Sequence, residues 1–282
     1  MERGEMSSRG IQRETRRAVR EAEPWLIWLG RIGYAAKGVV YTLIGVLAVQ
    51  SAMGARGQTT GSTGALKEVG QAPFGEFLLI AMGVGIVGYA LWRFVQAFMD
   101  TENKGSGAGG IAARMGYFVS ALIHVGLAIS AFTFAAGNDR SASTQGRTAE
   151  LMAMPLGPWL VALVGAIIIA FALFQLHVAY GLTFREKLKL SEMSASEDRW
   201  ATRLGRLGYF ARGIVFVIIG VFLIVAAVYV DPGQARGIDG ALETLARQPW
   251  GWVVLGLVGL GLAGYGTYMF VEARYRRMVI TQ

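Results

Sequence analysis

Read for charge, the chain separates into six long apolar blocks divided by polar segments. Uncharged stretches of 18, 16, 24, 34, 18 and 24 residues lie between Lys37 and Arg56, Glu76 and Arg93, Arg114 and Asp139, Glu150 and Arg185, Arg212 and Asp231, and Arg247 and Glu272. A helix needs about 20 mainly apolar residues to cross a bilayer. Carrying the shorter blocks past their limiting charge predicts spans near 29–50, 76–99, 115–136, 157–182, 206–230 and 250–273. The blocks do not alternate apolar with polar residues, as the strands of a membrane barrel would. The expectation is an all-α integral membrane protein with six transmembrane helices. A polar segment, residues 1–24, precedes the first block and Lys37 interrupts it, a pattern unlike that of a cleaved signal peptide.

The spans repeat in pairs. The odd ones open with Arg31-Ile-Gly33-Tyr34-Ala-Ala-Lys37-Gly38, Arg114-Met-Gly116-Tyr117-Phe-Val-Ser120-Ala121 and Arg206-Leu-Gly208-Tyr209-Phe-Ala-Arg212-Gly213. Tyr34, Gly38, Tyr41 and Gly45 fall on one helical face, a set repeated by Tyr117, Ala121, His124 and Ala128 and by Tyr209, Gly213, Phe216 and Gly220. The even spans share Gly83, Gly165 and Gly259, then Gly88-Tyr89, Ala170-Phe171 and Gly264-Tyr265. Between the spans of each pair stands Pro73-Phe-Gly75, Pro155-Leu-Gly157 or Pro249-Trp-Gly251. Leu66, Val69, Leu242 and Leu245 precede two of those prolines at helical spacing, which fits a short amphipathic surface helix or an ordinary connecting turn. Three hairpins of equal polarity predict a pseudo-threefold arrangement about the membrane normal.

These openings, the Gly-Ala-Leu…Pro-x-Gly connections and Gly88-Tyr89-Ala-Leu-Trp92-Arg93…Ala97 resemble the bacterial domain of unknown function family 1206 over roughly residues 25–277. The resemblance implies a six-helix membrane protein built from three repeats and carries no catalytic residue. The middle copy departs most, with Ser120 for Lys or Arg, His124 for an aromatic residue, and Gln175 for the Arg93 of the first copy. The chain then divides into a basic segment 1–24, repeats at 25–100 and 101–184, a basic connection 185–198, a third repeat at 199–277 and a tail 278–282.

Composition agrees with this reading and charge orients it. Hydrophobic types make up 54% of the 282 residues and charged types 16%, well below the share of about 25% in soluble domains. There is no cysteine, so thiol catalysis, thiolate metal sites and disulfides are excluded. The net charge of +8 would suit nucleic acid in a soluble protein, but 18 of the 24 basic residues outside the spans fall on the side of the two termini and the 183–206 connection. By the positive-inside rule both termini are cytoplasmic, in a bacterial inner membrane.

Candidate chemistry is sparse. Gly83-Val-Gly85-Ile-Val-Gly88 and Gly259-Leu-Gly261-Leu-Ala-Gly264 match a dinucleotide fingerprint in letters only. They lie in mid-span, with neither the strand nor the acid that such a site needs. They read instead as helix-packing residues together with Gly38, Gly45, Gly213 and Gly220. His124 and His177 lie at different depths and do not suit a shared haem; His124 reads as a packed residue bonded to helix backbone or as a proton relay. Lys37, Arg93, Arg212 and Glu272 are the charges inside or at the edges of spans, all in the cytoplasmic half. They either snorkel or, with Gln96, Gln175 and His124, line a basic vestibule facing the cytoplasm, where Glu272 is a partial counter-charge. No carboxylate pair, nucleophile set or metal cluster is evident, so neither an enzyme nor a cofactor is expected. The function read here is a small ion or solute permeation protein; the alternative is an accessory subunit docking other membrane proteins, further copies of itself or anionic lipid headgroups.

The orientation is directly testable, since single cysteines at Ser62, Ser143 and Ser196 would be the chain's only thiols. An impermeant thiol reagent on intact cells is expected to label Ser62→Cys and Ser143→Cys and to spare Ser196→Cys. The reverse pattern would invert the topology.

Overall fold

The computed structural model describes residues 2–54, 59–102, 104–138 and 144–278, with side chains from residue 24 onward. Arg56, Arg140 and Ser143, and all of the expected tail but Met278, lie outside them. Among the described residues the elements are α1 (Glu2–Ala52), α2 (Ser62–Gln71), α3 (Gly75–Met99), α4 (Ala108–Ala135), α5 (Thr144–Met152), α6 (Gly157–Gly181), α7 (Ala195–Tyr229), α8 (Ile238–Ala246) and α9 (Gly251–Tyr275). Six of these helices, α1 from Pro24 onward and α3, α4, α6, α7 and α9, are long and apolar enough to cross a membrane. Their outward faces carry large apolar side chains such as Ile123, Ile167 and Leu257, while Lys37, Gln96, Gln175, Arg212 and Glu272 are buried. The protein is a multi-pass membrane protein.

The short helices α2 and α8 settle the open reading of their connections: each is a helix with its apolar side inward, Leu66 and Leu242 being fully buried, and α5 is a short helix at the corresponding place, with Thr148 buried. Each ends in the same turn. Phe74, Leu156 and Trp250 adopt left-handed backbone conformations (φ 61°, 62° and 59°), at about 1–2 kcal/mol for a residue with a side chain. The glycine after each is obligatory, because a Cβ at Gly75, Gly157 or Gly251 would collide with a carbonyl of the preceding short helix. The turn throws Phe74, Leu156 and Trp250 outward, 85%, 73% and 75% exposed, where apolar and aromatic side chains suit the membrane interface. At the other end α7 starts earlier than its apolar block suggests. Ser194 and Glu197 form a capping box, and so draw the basic connection into the helix.

Helix pairing follows the repeats in a cycle. The first span of each hairpin packs on the second span of the hairpin before it: α4 on α3, α7 on α6, and α1 on α9. The predicted small-residue faces lie in these contacts. Gly38 of α1 meets the Gly266 carbonyl and the Phe270 ring on α9, Gly83 of α3 meets the Phe132 ring on α4, and Gly220 of α7 meets Gly165 on α6. Gly264 is buried against Leu204 of α7, but a Cβ there would make only an ordinary 3.5 Å contact, and the close approaches of α9 are made by Gly259, Gly261 and Gly266.

Within hairpins the symmetry fails, and the expected pseudo-threefold arrangement is not established. In the first and third, α1 packs on α3 and α7 on α9, whereas α4 and α6 are not a packed pair. Gly33 lies against the backbone of Tyr89 and Gly208 against that of Tyr265, but the equivalent Gly116 has nothing within 4 Å. Only 22% of the apolar window of α4 and of α6 is buried, against 50% or more in the other four spans. The six spans pack in the order α4–α3–α1–α9–α7–α6, an arc left open at the middle hairpin, and that opening between α4 and α6 is the seam.

The same substitution should therefore have opposite effects at equivalent glycines. Gly33→Ala must push α1 off α3 and is expected to cost about 1–3 kcal/mol or more. Gly116→Ala meets open space and should be neutral or raise stability by up to about 1 kcal/mol through helix propensity. Thermal unfolding of the two variants in detergent checks this; equal melting temperatures would contradict the seam.

Candidate functional site

Repeat position and helix phase place Lys37 on α1 and Arg212 on α7 at corresponding points of the bundle interior. Neither snorkels. They are 6% and 7% exposed, buried among tyrosines. Lys37 Nζ donates to the Tyr89 hydroxyl on α3 at 2.9 Å, and Arg212 donates to the Tyr265 hydroxyl on α9. Each cation also lies over the ring it bonds, 4.6 Å from the Tyr89 centroid and 4.3 Å from that of Tyr265. Both reach Tyr41 as well, at 5.9 and 5.1 Å. Desolvated cation–π contacts are worth about 2 kcal/mol, so aromatic faces stand where carboxylates would otherwise be needed. Among the described residues neither Lys37 nor Arg212 has a carboxylate within ion-pair distance, and Arg212 Nε has no hydrogen-bond partner.

A second tier lies toward the face where α3, α6 and α9 end, and it contains the carboxylates Glu102 and Glu272. Arg93 donates to the Tyr89 hydroxyl (2.8 Å) and to Gln96 Oε1 (3.0 Å), and Gln96 passes the chain on to Glu102 (2.9 Å). Glu102, in the α3–α4 connection, also accepts from Tyr117 at 2.6 Å and from Arg276 at 2.6 Å, with Lys187 3.5 Å away. Arg276 pairs with Glu272 and lies over the Tyr34 ring. An antiparallel bridge between Leu188 and Arg276 holds that residue in place, through Lys189 N–H to the Tyr275 carbonyl (2.8 Å) and Arg277 N–H to the Lys187 carbonyl (2.9 Å). The segments that follow α3, α6 and α9 thus converge on one carboxylate. Burial alone would raise the Glu102 carboxyl, but Arg276 and then Lys187, with the Tyr117 hydroxyl, hold it well below the usual carboxylate range. Burial pushes the Lys187 ammonium down, helped by Arg276 and opposed by Glu102.

The structure brings together Lys37, Arg93, Arg212, Gln96 and Glu272 of the expected set, with one correction. Glu272 is the counter-charge of Arg276, its neighbour one helical turn on, and not of the three span cations. His124 Nδ1–H donates to the Ser120 carbonyl (2.7 Å), bonded to helix backbone as one reading had it, and its ring lies tilted 4.4 Å from Tyr89. Gln175 is 1% exposed and both its amide atoms lack partners. Unforeseen were Tyr89, Tyr265, Glu102, Lys187 and Arg276. The tyrosines had a signal, because Lys37 and Arg212 are accompanied by Tyr89 and Tyr265, whereas the middle copy replaces both partners, with Ser120 and Phe171. The polar connections carry no comparable periodicity.

Chemically the interior offers fixed cations, hydroxyls and amides. Among the described residues there is no group of three or more histidines and carboxylates able to hold a metal ion. Toward the hairpin connections, backbone-level contacts close two interfaces, Gly45 of α1 against Gly259 and Ala263 of α9, and Gly220 of α7 against Gly165 of α6.

Comparison with known proteins adds a family and no activity. The family described as Domain of Unknown Function (DUF1206) matches residues 32–100, 115–181 and 207–276, one match per hairpin. The chain is 39% identical over 259 residues to the "Uncharacterized protein YxxB" of Bacillus subtilis (strain 168), covering 92% of this chain and 94% of that one. No solved structure matches.

The Glu102 junction makes stability depend on pH with a defined sign. A carboxyl held lower in the folded state than its ordinary 4.5 stabilises fully at neutral pH. That contribution is lost as pH falls below the ordinary value toward the folded one. Melting temperature should fall more steeply below pH 4.5 in the parent than in Glu102→Gln. At neutral pH the variant should be less stable by about 1.5–3 kcal/mol, the scale of hydrogen bonds to a charged group. Parallel pH profiles would contradict the assignment.

Proposed function

This chain belongs to the DUF1206 family, a membership that comes without an assigned activity, and we propose that it is a membrane protein that binds an anionic, phosphate-class group between Lys37 and Arg212. The observation that carries the reading is the contrast between the two tiers. Arg276 is matched by Glu272 and Glu102, whereas Lys37 and Arg212 are buried with tyrosine hydroxyls and ring faces alone. An ionised group without a counter-charge in a low-dielectric interior is costly, and an anion placed between the two cations removes that cost. The spare Arg212 Nε–H is a donor of the kind that phosphate oxygens accept.

The role is one of binding rather than of catalysis, since the groups around the cations are tyrosines, a histidine and amides. With the termini in the cytoplasm, as the basic-residue asymmetry has it, the site lies in the inner leaflet half of the bilayer. Permeation would require a continuous polar path across the bilayer, whereas the interior charges Lys37, Arg93, Arg212 and Glu272 all belong to the half toward which α3, α6 and α9 end; holding an anion requires no such path. The holding role is therefore the better supported of the two.

Thermal unfolding of the purified protein in a neutral detergent tests the reading, with inorganic phosphate and phosphatidylglycerol as separate probes. At least one should raise the melting temperature, by the equivalent of about 2.7 kcal/mol at 100 times its Kd. The rise should vanish in the Lys37→Gln, Arg212→Gln double variant, which without added anion should unfold as cooperatively as the parent. No shift with either probe would overturn the proposal.

A further inference from the structure

We infer that the bound anion is the phosphate of a phospholipid headgroup, and that it enters sideways through the seam between α4 and α6. The inference rests on the anion-binding reading above and adds the ligand's source and route.

The seam is where the bundle interior comes closest to lipid. In the first and third hairpins a cation bonds a tyrosine across the two spans and a glycine brings their backbones together. The middle hairpin keeps the glycine, Gly116, but has Ser120 and Phe171 in place of cation and hydroxyl, and its spans stand apart. Gly126, further along α4, likewise has nothing within 4 Å. One aromatic residue stands on each side of the opening, a single ring from a cation. His124 on α4, partly exposed, lies against Tyr89, which accepts from Lys37. Phe171 on α6, 46% exposed, lies 5.8 Å from Phe216, over whose ring Arg212 sits at 5.1 Å.

A second observation points to a ligand on the same side. Gln175 takes the repeat position of Arg93, yet its buried amide bonds nothing. It is placed level with Arg212, because its neighbour Leu176 fills the space beside Gly213, the residue after Arg212. Two polar groups without partners, Gln175 on α6 and Arg212 Nε on α7, therefore stand at one level of neighbouring helices. The amide supplies N–H donors and the guanidinium both charge and N–H, a pairing that suits phosphate oxygens.

The surroundings select a lipid over a free ion. The outward faces of α4 and α6 are apolar along their length, with Met115, Val119 and Ile123 on one and Leu163 and Ile167 on the other. They match acyl chains and offer a hydrated ion nothing. The axial route is occupied by the Glu102–Arg276–Glu272 junction, whose ion pairs an anion arriving from that side would have to break. A lipid headgroup already lies at the membrane interface with its chains in the hydrocarbon, so it reaches the cations without crossing either barrier.

Native mass spectrometry of the full chain, from nonionic detergent micelles containing phosphatidylglycerol and phosphatidylcholine of identical acyl composition, tests the inference. The expected result is one retained phosphatidylglycerol per chain, unaffected by competing inorganic phosphate, and at least tenfold less retention in Lys37→Gln, Arg212→Gln. Filling the seam with Gly116→Leu and Ser120→Leu, away from the cations, should also lower lipid retention at least tenfold. A photoactivatable phosphatidylglycerol should label peptides from α4 and α6 in the parent, a readout independent of any variant's folding. Phosphate binding that depends on Lys37 and Arg212, with no preference for phosphatidylglycerol and no effect of seam filling, would overturn the lipid and its route while leaving the anion site standing. Retention of neither probe would remove both readings. Labelling of α4 and α6 that persists at equal strength with the two cations removed would mark ordinary annular lipid and overturn the inference.

Discussion

The bond from a buried cation to a tyrosine hydroxyl, made once across the first hairpin and once across the third, is the constraint on which the rest of the bundle depends. Inside a membrane a basic side chain must reach water, find an opposite charge, or be wrapped in polarisable groups. Lys37 and Arg212 take the third course, each held end-on by a hydroxyl and face-on by rings. That arrangement demands that α3 and α9 come close to α1 and α7, and the glycines at 33 and 208 permit it. Where the pair is missing, at Ser120 and Phe171, the close approach is missing too. One interaction thus accounts both for the two closed hairpins and for the open one.

The two tiers of the interior divide their tasks by charge. The tier at the ends of α3, α6 and α9 is an ion-paired junction, with Glu102 and Glu272 serving Arg276 and Lys187. It ties together the segments that follow three helices and owes its position to backbone pairing around Leu188. The deeper tier remains net positive. A protein that only needed stability would gain by replacing such buried charges with apolar residues. Their retention at equivalent points of two repeats is the strongest mark of function in the molecule.

Legibility in the sequence tracked periodicity. The six spans, the three hairpins and the small-residue face of α1 all announce themselves at helical spacing, and the structure uses them as read. Lys37 and Arg212 were visible because they share a repeat position, but whether they faced lipid or interior was not, since that depends on which neighbour the adjacent glycine meets. Glu102, Lys187 and Arg276 belong to connections with no repeat, so nothing short of the folded arrangement brings them together. The seam is the opposite case. Gly116 carries the family's packing signature and remains unpacked, because a glycine only permits contact and cannot compel it.

The cyclic pairing has a consequence for how the protein is made. The most extensive helix contact joins α1, the first span, to α9, the last, so about 200 residues are synthesised between the two halves of that interface. Throughout that interval α3 can already shield the Lys37 ammonium, but the groove at Gly38 and Gly45 has no occupant from its own chain. Until α9 is made, α1, α3 and α4 form one group and α6 and α7 another, with an edge available to an insertase or to a wrong helix. Only α9, packed on both α1 and α7, joins the two groups into one bundle. Chains interrupted late in translation would therefore be marked by an unfilled glycine groove near their N-terminus, far in sequence from the break.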